Sequence, residues 1–304
     1  MSFVRSVGRV DAVESTWMGA RPLDWAQRDE SWDATFGVAG ILFEVGVGRS
    51  GWLARLAASD WFSGFAPRPE DLTADEEASG SWTLAAEAGE AGVVACLTSS
   101  HVPHAPWWTA IAVTPETSAA QRPAVLGLVS ALRQRRSKAG DPLPVVVTIE
   151  GSLLHDEPFI SELLERGAFV IRPGRDVGGD HLHHFPLRAF AGDPRLICID
   201  LFDTLSLWRP GRTATLHLIP SNPEKAAQCL DSVPVPPGGA WALDLRFHPR
   251  ADYSDVTLDS IDQLAIHCQS RCLGPDGDSL VTEARRLDGA SGTADLLIID
   301  QGTC

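Results

Sequence analysis

Residues 196–203 read LICIDLFD, an apolar run that ends in two carboxylates three apart, Asp200 and Asp203. Leu196, Ile197 and Ile199 favour a buried strand, and the polar end predicts a chain reversal that holds both acids at an edge. Carboxylates that activate water need rigid support and an open side. The same residues suit a plainer use. Asp200 is a good helix N-cap, and Asp203 would then fall in the first turn, where the helix dipole favours negative charge. On these residues alone both readings stand, and the sequence on either side bears on the choice.

Toward the C-terminus, TATLHLIP (213–220) is strand-like. The segment NPEKAAQCLDS (222–232) is a helix opened by Asn222 as cap and Pro223 at the first helical position. ALDLRFHP (242–249) is a strand, and 257–274 is a helix with Leu258, Ile261, Ala265, Cys268 and Cys272 on one face. SLVTEARRL (279–287) and ADLLIID (294–300) read as closing strands. This block, 196–304, is expected to be a smaller α+β domain with a mixed sheet.

Toward the N-terminus the rhythm differs. FGVAGILFEVGVG (36–48) is a buried strand running into glycines, and 51–62 reads as a helix. An acidic, Pro-containing loop follows at 66–80. WTAIAVT (108–114), a helix over 119–138, PVVVTI (144–149), a helix over 158–167 closed by Gly167, and AFVIRP (168–173) alternate strand and helix. That order implies a mostly parallel sheet with right-handed crossovers over 39–195. The apolar positions Val125, Leu128, Val129 and Leu132 set the inner face of the 119–138 helix. Its basic end, Arg133, Arg135, Arg136 and Lys138, complements the helix C-terminus and faces solvent. Residues 174–195 carry Gly174, Gly178, Gly179 and Pro186 and read as irregular. Residues 1–38, with Trp17, Trp25 and Trp32 along polar sequence, form an arm that docks on its own chain or on a neighbouring subunit.

Composition bounds the function. The chain has 304 residues, 44% apolar and 21% charged, ordinary values for a soluble globular protein. A formal charge of −15 argues against nucleic acid and against an anionic bilayer as main partner, because phosphates would be repelled. The six cysteines show no disulfide-framework spacing, which fits reduced thiols in a cytoplasm. No apolar run approaches the roughly 20 residues that span a bilayer, and the N-terminal sequence has no signal-peptide core.

Read in order, these pieces resemble the bacterial tubulin homologue FtsZ and the tubulin/FtsZ superfamily. ILFEVGVGRSGWLARL (41–56) resembles the family's first strand, first phosphate loop and first helix, with Gly46, Gly48 and Gly51 at matching positions. Residues 110–132 resemble the strand, second phosphate loop and following helix, and 145–174 the next strand–helix–strand. LICIDLFD resembles the synergy loop, with Asp200 and Asp203 on its two acids. Residues 213–300 follow the family's C-terminal domain, most closely over SLVTEARRLDGASGTADLLIIDQG (279–302). The resemblance covers about residues 38–302. It implies an α/β, tubulin/FtsZ-like fold: a Rossmann-like, mostly parallel sheet domain, then a smaller α+β domain. It further implies GTP and magnesium as cofactors, and catalytic acids Asp200 and Asp203 that polarise water in the pocket of the next subunit.

The departures are specific. The family's glycine-rich second phosphate loop is replaced by TPETSAAQR (114–122), which has no glycine and adds Glu116. Glycine matters there because backbone amides must approach the phosphates closely. Leu53 replaces a polar residue and Cys198 an asparagine, no long central helix is expected, and the chain stops at Cys304. Losing several charge-assisted phosphate contacts, each worth about 1.5–3 kcal/mol, predicts weakened or lost GTP binding. Elsewhere, His181, His183 and His184 beside Asp180 are either a metal site or a polar loop; a strand would put His181 and His183 on one face. Cys268 and Cys272, one helical turn apart, read as core. GVGRSG (46–51) departs from a dinucleotide loop at its last glycine. Trp107 and Trp108 are a core anchor or a contact patch. The expected function is a divergent FtsZ-like cytoskeletal or division-associated protein, a pseudo-GTPase that self-assembles head to tail or joins a filament. A carboxylate or metal hydrolase and a non-catalytic adaptor are the alternatives.

Overall fold

The computed structural model describes residues 4–6, 40–46, 82–89, 92–99, 108–134, 142–190, 195–197, 201–248, 257–275, 279–285 and 292–300. The chain divides into two compact units, Met1–Ala168 with His183–Gly192, and Phe169–Leu182 with Asp193–Cys304.

In the first unit the strands are β1 (Val4–Ser6), β2 (Gly40–Gly46), β3 (Trp82–Gly89), β4 (Gly92–Ser99), β5 (Trp108–Val113) and β6 (Val145–Ile149). Their order is β1-β3-β4-β2-β5-β6. The run β2-β5-β6 is parallel, with Ile41 opposite Thr109 and Thr109 opposite Val145. Strand β4 lies antiparallel on β2 and on β3, so an antiparallel hairpin extends the parallel sheet. Every residue of β5 and β6 is buried, as a parallel strand covered on both faces requires. Trp108 is fully buried and serves as a core anchor; Trp107 lies outside the described residues. Strand β1 pairs with β3 of its own chain, Val4 opposite Leu84.

Helix α1 (Arg122–Arg133) follows β5 and buries Val125, Leu126, Val129 and Leu132. Leu126 thus takes the inward place expected for Leu128. Arg133 is half-buried rather than fully solvated, and its guanidinium donates to the Leu143 carbonyl (3.0 Å). Helix α2 (Glu157–Glu165) is capped by Asp156, whose carboxylate accepts from the Phe159 amide. Its sequel turns at Gly167 with φ +82°, a conformation that glycine takes at little cost.

Residues 174–195 are not irregular throughout. Helix α3 (Gly179–Phe190) occupies most of them, with Pro186 inside it. Leu182, Phe185 and Ala189 are buried at helical spacing. Burial of this stripe offsets the roughly 3 kcal/mol that an internal proline costs. Residues 179–182 belong to the second unit and 183–190 to the first.

The second unit holds β7 (Phe169–Pro173), β8 (Arg195–Ile197), helix α4 (Leu201–Leu207), β9 (Thr213–Pro220), helix α5 (Pro223–Leu230), β10 (Ala242–His248), helix α6 (Leu258–Cys272), β11 (Ser279–Arg285) and β12 (Thr293–Ile299). The strand order is β7-β9-β12-β10-β11-β8, a mixed sheet with β7/β9 and β10/β11 parallel. Asn222 caps α5 through the Lys225 amide, and Pro223 opens it. One face of the sheet forms the core with α5 and α6: Leu243, Leu245 and Phe247 meet Ile219, Leu230, Ile261, Leu264, Cys268 and Cys272.

Candidate functional site

The carboxyl ends of β2, β5 and β6 carry the segment that resembles a phosphate loop. Gly46 ends β2; Gly48 and Gly51 lie outside the described residues. Residues 114–122 leave β5 as a tight turn and a short 3-10 helix, Ala119–Gln121, that runs into α1. Their amides are largely engaged within the segment. Thr114 N–H donates to Thr117 Oγ1 (3.1 Å), and Thr117 N–H to the Thr114 carbonyl (2.9 Å). Ser118 N–H donates to Gln121 Oε1 (2.6 Å), and Gln121 N–H to the Ser118 carbonyl (3.0 Å). Thr117 Oγ1 donates to the Val45 carbonyl, pinning the turn to the end of β2. Pro115 and Pro123 have no amide to give.

Beside this turn runs the one after β6. The Glu150 amide donates to the Val113 carbonyl (2.8 Å). Gly151, at φ +75°, passes so close to Pro115 that a Cβ would lie 2.7 Å from its Cα. Arg122, at the start of α1, pairs with Asp156, which caps α2. This edge therefore gathers Glu116, Glu150, Asp156 and Glu157, with Glu116 and Glu157 exposed.

The acid pair is only partly described. Asp200 lies outside the described residues, and Asp203 is placed by backbone within α4. What holds α4 is clear from its other residues. Strand β10 alternates Leu243, Leu245 and Phe247 with Asp244, Arg246 and His248, and all six are buried. Arg246 Nε lies 2.9 Å from Asp244 Oδ1, while its Nη2 donates to Asp244 Oδ2 (2.9 Å) and to Thr204 Oγ1 of α4 (3.0 Å). Trp208 Nε1 donates to Asp244 Oδ2 (3.2 Å), and its ring stacks on Phe169 at 5.5 Å. A carboxylate with 0% exposure survives only with such partners. The strict alternation of apolar and charged residues in LDLRFH (243–248) is the sequence signal of this network.

The histidines belong to a helix, not a strand or a loop, so they diverge. His181 Nε2 meets Asp295 Oδ1 at 2.5 Å, and His248 Nε2 meets Asp295 Oδ2 at 2.8 Å. His183 turns elsewhere: its Nδ1 is 2.7 Å from Thr148 Oγ1, and its Nε2 is 3.5 Å from Glu150. On α3 the two positions are about 200° apart, the rotation of two helical residues. Among the described residues no cluster of three His, Cys, Asp or Glu side chains could hold a metal ion. His217 of β9 is buried, and burial lowers its pKa while Asp176 pulls the other way. Cys268 and Cys272 are fully buried core residues, their thiols pushed up to about 12 and about 11 by burial.

At the opposite type of edge in the second unit, where β9 and β10 begin and β12 ends, two arginines flank an indole. The Arg212 guanidinium lies 4.0 Å and that of Arg209 4.6 Å from the Trp241 ring. Arg212 also donates to the Asp300 carbonyl (3.0 Å), and Arg209 to that of Ser206 (3.0 Å). Burial raises the Asp300 pKa, against the pull of the Thr213 hydroxyl and Arg172.

No family model and no curated protein matches the chain. Among the described residues no helix is long and apolar enough to cross a membrane. Solved structures similar to the chain include GDP-form protofilaments of TubZ from Bacillus thuringiensis serovar israelensis (12% identity, 66% of this chain, 62% of that one, TM-score 0.43). Another is the GTPγS-bound protofilament of CetZ2 from Haloferax volcanii (12%, 65% and 65%, 0.40). A third is the GDP-bound monomer of CetZ1 from the same organism (10%, 65% and 66%, 0.42). The chain spans less than two thirds of the length of each. The chain is similar to these tubulin/FtsZ-type subunits, at low identity and with low TM-scores.

Proposed function

We propose that this chain is a divergent tubulin/FtsZ-like assembly protein whose nucleotide binding is weakened or lost, acting through self-association or by joining a filament. Its organisation would be an N-terminal arm (1–38), a degenerate nucleotide-binding-like domain (39–195) and a C-terminal-like domain (196–304). The observation that carries the reading is the closed state of residues 114–122. A phosphate-binding loop works by presenting unspent amides to an anion. Here the amides of Thr114, Thr117, Ser118 and Gln121 are bonded within the turn, Pro115 supplies none, and the exposed Glu116 adds a like charge. Fewer amides than in a glycine-rich loop are left to meet a triphosphate, which supports weakened binding. The acid corner at Asp200 and Asp203 then serves as a contact face rather than as a water activator.

Isothermal calorimetry of the full chain with GTP and magnesium, run beside sedimentation velocity, tests this. Self-association without measurable nucleotide binding is the expected result. Micromolar GTP binding would overturn the loss of the nucleotide site, and a stoichiometric bound metal by elemental analysis would favour a hydrolase instead. Exchanging Asp200 and Asp203 for alanine is expected to weaken association, and an unchanged oligomer would reduce both acids to helix-capping residues.

A further inference from the structure

Two arginines of the first unit meet where the C-terminal ends of α1 and α2 come together. Arg133 is the last residue of α1, and Arg166 directly follows α2. Ser130 precedes Arg133 by three residues and so shares its face of the helix. Arg166 reaches across to it: Nη1 donates to Ser130 Oγ (2.8 Å), whose own hydrogen goes to the Leu126 carbonyl (3.0 Å). The next residue, Gly167, lies against Arg133. A Cβ there would stand 3.0 Å from Arg133 Nε and 3.5 Å from its Nη2, so the bare backbone leaves the guanidinium its place. Arg133 Nη1 is held by the Leu143 carbonyl (3.0 Å). Both guanidinium groups are thus positioned by neutral oxygens, and their anchors on α1 are one helical turn apart.

Their charge is little offset. Among the described residues Arg133 makes no ion pair, and Arg166 faces Glu162 at 3.8 Å with both side chains open to solvent, a contact of small worth. Arg133 is half-buried, and that burial lowers its pKa, so its charge is poorly solvated. The two helix ends together supply about one negative charge, half of what the two arginines carry. Arg135, Arg136 and Lys138 follow closely in the sequence and add to the positive field. A chain of formal charge −15 repels extended polyanions, which leaves a compact anion as the occupant. Two guanidinium forks match the oxygens of a tetrahedral dianion in both charge and geometry. We infer that Arg133 and Arg166 form a binding site for a phosphate-type oxyanion, with Ser130 and Gly167 placing the two guanidinium groups. The site sits where β6 begins, whereas residues 114–122 leave the far end of the parallel strand β5, so the two are separate. The inference does not depend on the self-association proposed above.

Titration of the full chain with inorganic phosphate at low salt, followed by phosphorus NMR line width, tests the site. Saturable binding of one phosphate per chain is expected. Arg166→Gln, at an exposed position, and Arg133→Gln should each weaken it about tenfold or more. Ser130→Ala should weaken it severalfold with both charges kept, because Arg166 loses its anchor. Arg271→Gln removes the same charge from an exposed position on α6 and should leave binding unchanged. Phenyl phosphate competing for the site supports a phosphomonoester as ligand, and binding of inorganic phosphate alone supports the free anion. Arg166→Gln with wild-type circular dichroism and undiminished phosphate binding overturns the inference, since the anion then sits elsewhere. An equal loss in Arg271→Gln overturns it as well, as an effect of overall charge. If the wild-type chain binds no phosphate, the inference falls and the self-association reading is untouched.

Discussion

Removing the positive member of the buried Asp244–Arg246 pair should cost far more than removing both members. Arg246→Met keeps the length and apolar stem of the side chain but deletes its charge. Asp244, at 0% exposure, then loses its paired guanidinium and keeps the Trp208 indole N–H, and Thr204 loses a donor. Two contacts of 2.9 Å and one of 3.0 Å are lost together. Stranding one charge of a buried pair costs about 3–5 kcal/mol. In Asp244→Leu, Arg246→Met, the uncompensated charge is gone. What remains is one described hydrogen bond fewer for the Trp208 indole and for the Thr204 hydroxyl, about 1–3 kcal/mol in all. The double variant should therefore be more stable than Arg246→Met itself. Urea melts followed by tryptophan fluorescence measure this, and hydrogen exchange over 201–207 reports whether α4 loosens with its anchor. A penalty below about 1 kcal/mol for Arg246→Met, or a double-variant penalty equal to the sum of the singles, would refute the reasoning.

Gly174→Ala should destabilise by about 1–3 kcal/mol, because its Cβ would meet His217 Nδ1 at 2.4 Å and the Leu216 carbonyl at 2.7 Å. Gly178→Ala, with nothing within 4 Å, should stay within about 0.5 kcal/mol of wild type in the same melts. The depressed pKa of buried His217 favours the neutral ring in the folded state. Its contribution to stability is thus complete above the ordinary histidine pKa near 6.5 and is lost as pH falls through the lower folded value. Denaturation midpoints from pH 7.5 to 5 should fall less steeply for His217→Leu than for wild type. Alkylation at pH 8 with mass mapping should leave Cys268 and Cys272 unmodified in the folded protein and label both once urea unfolds it, since thiols raised to about 12 and about 11 hold almost no thiolate there.

Strands and helices with strong periodicity were legible from the residues. Thr213–Pro220 matches the reading to the residue, and Asn222 with Pro223 marks the start of α5 as capping chemistry requires. Helix α3 was not, because its glycines, histidines and Pro186 obscure a stripe of Leu182, Phe185 and Ala189 that only tertiary burial reveals. The hairpin β3–β4 had a usable signal, two alternating runs with Gly89 opposite Gly92 across the turn. At the site, the engaged turn at 114–122 agrees with its lack of glycine. The buried charges of β10 and β12 depend on long-range pairing, Arg246 opposite Asp295, which no local pattern specifies.

The carboxylate of Asp295 has a chemical consequence for the two imidazoles it joins. An ionised carboxylate only accepts hydrogen bonds, so Nε2 of both His181 and His248 must carry hydrogen. Each ring is thereby held in one orientation, with its Nε2 side committed to the shared carboxylate. One carboxylate of β12 thus ties α3 and β10 to a single point, so replacing Asp295 by a smaller apolar side chain would release both elements together rather than one at a time.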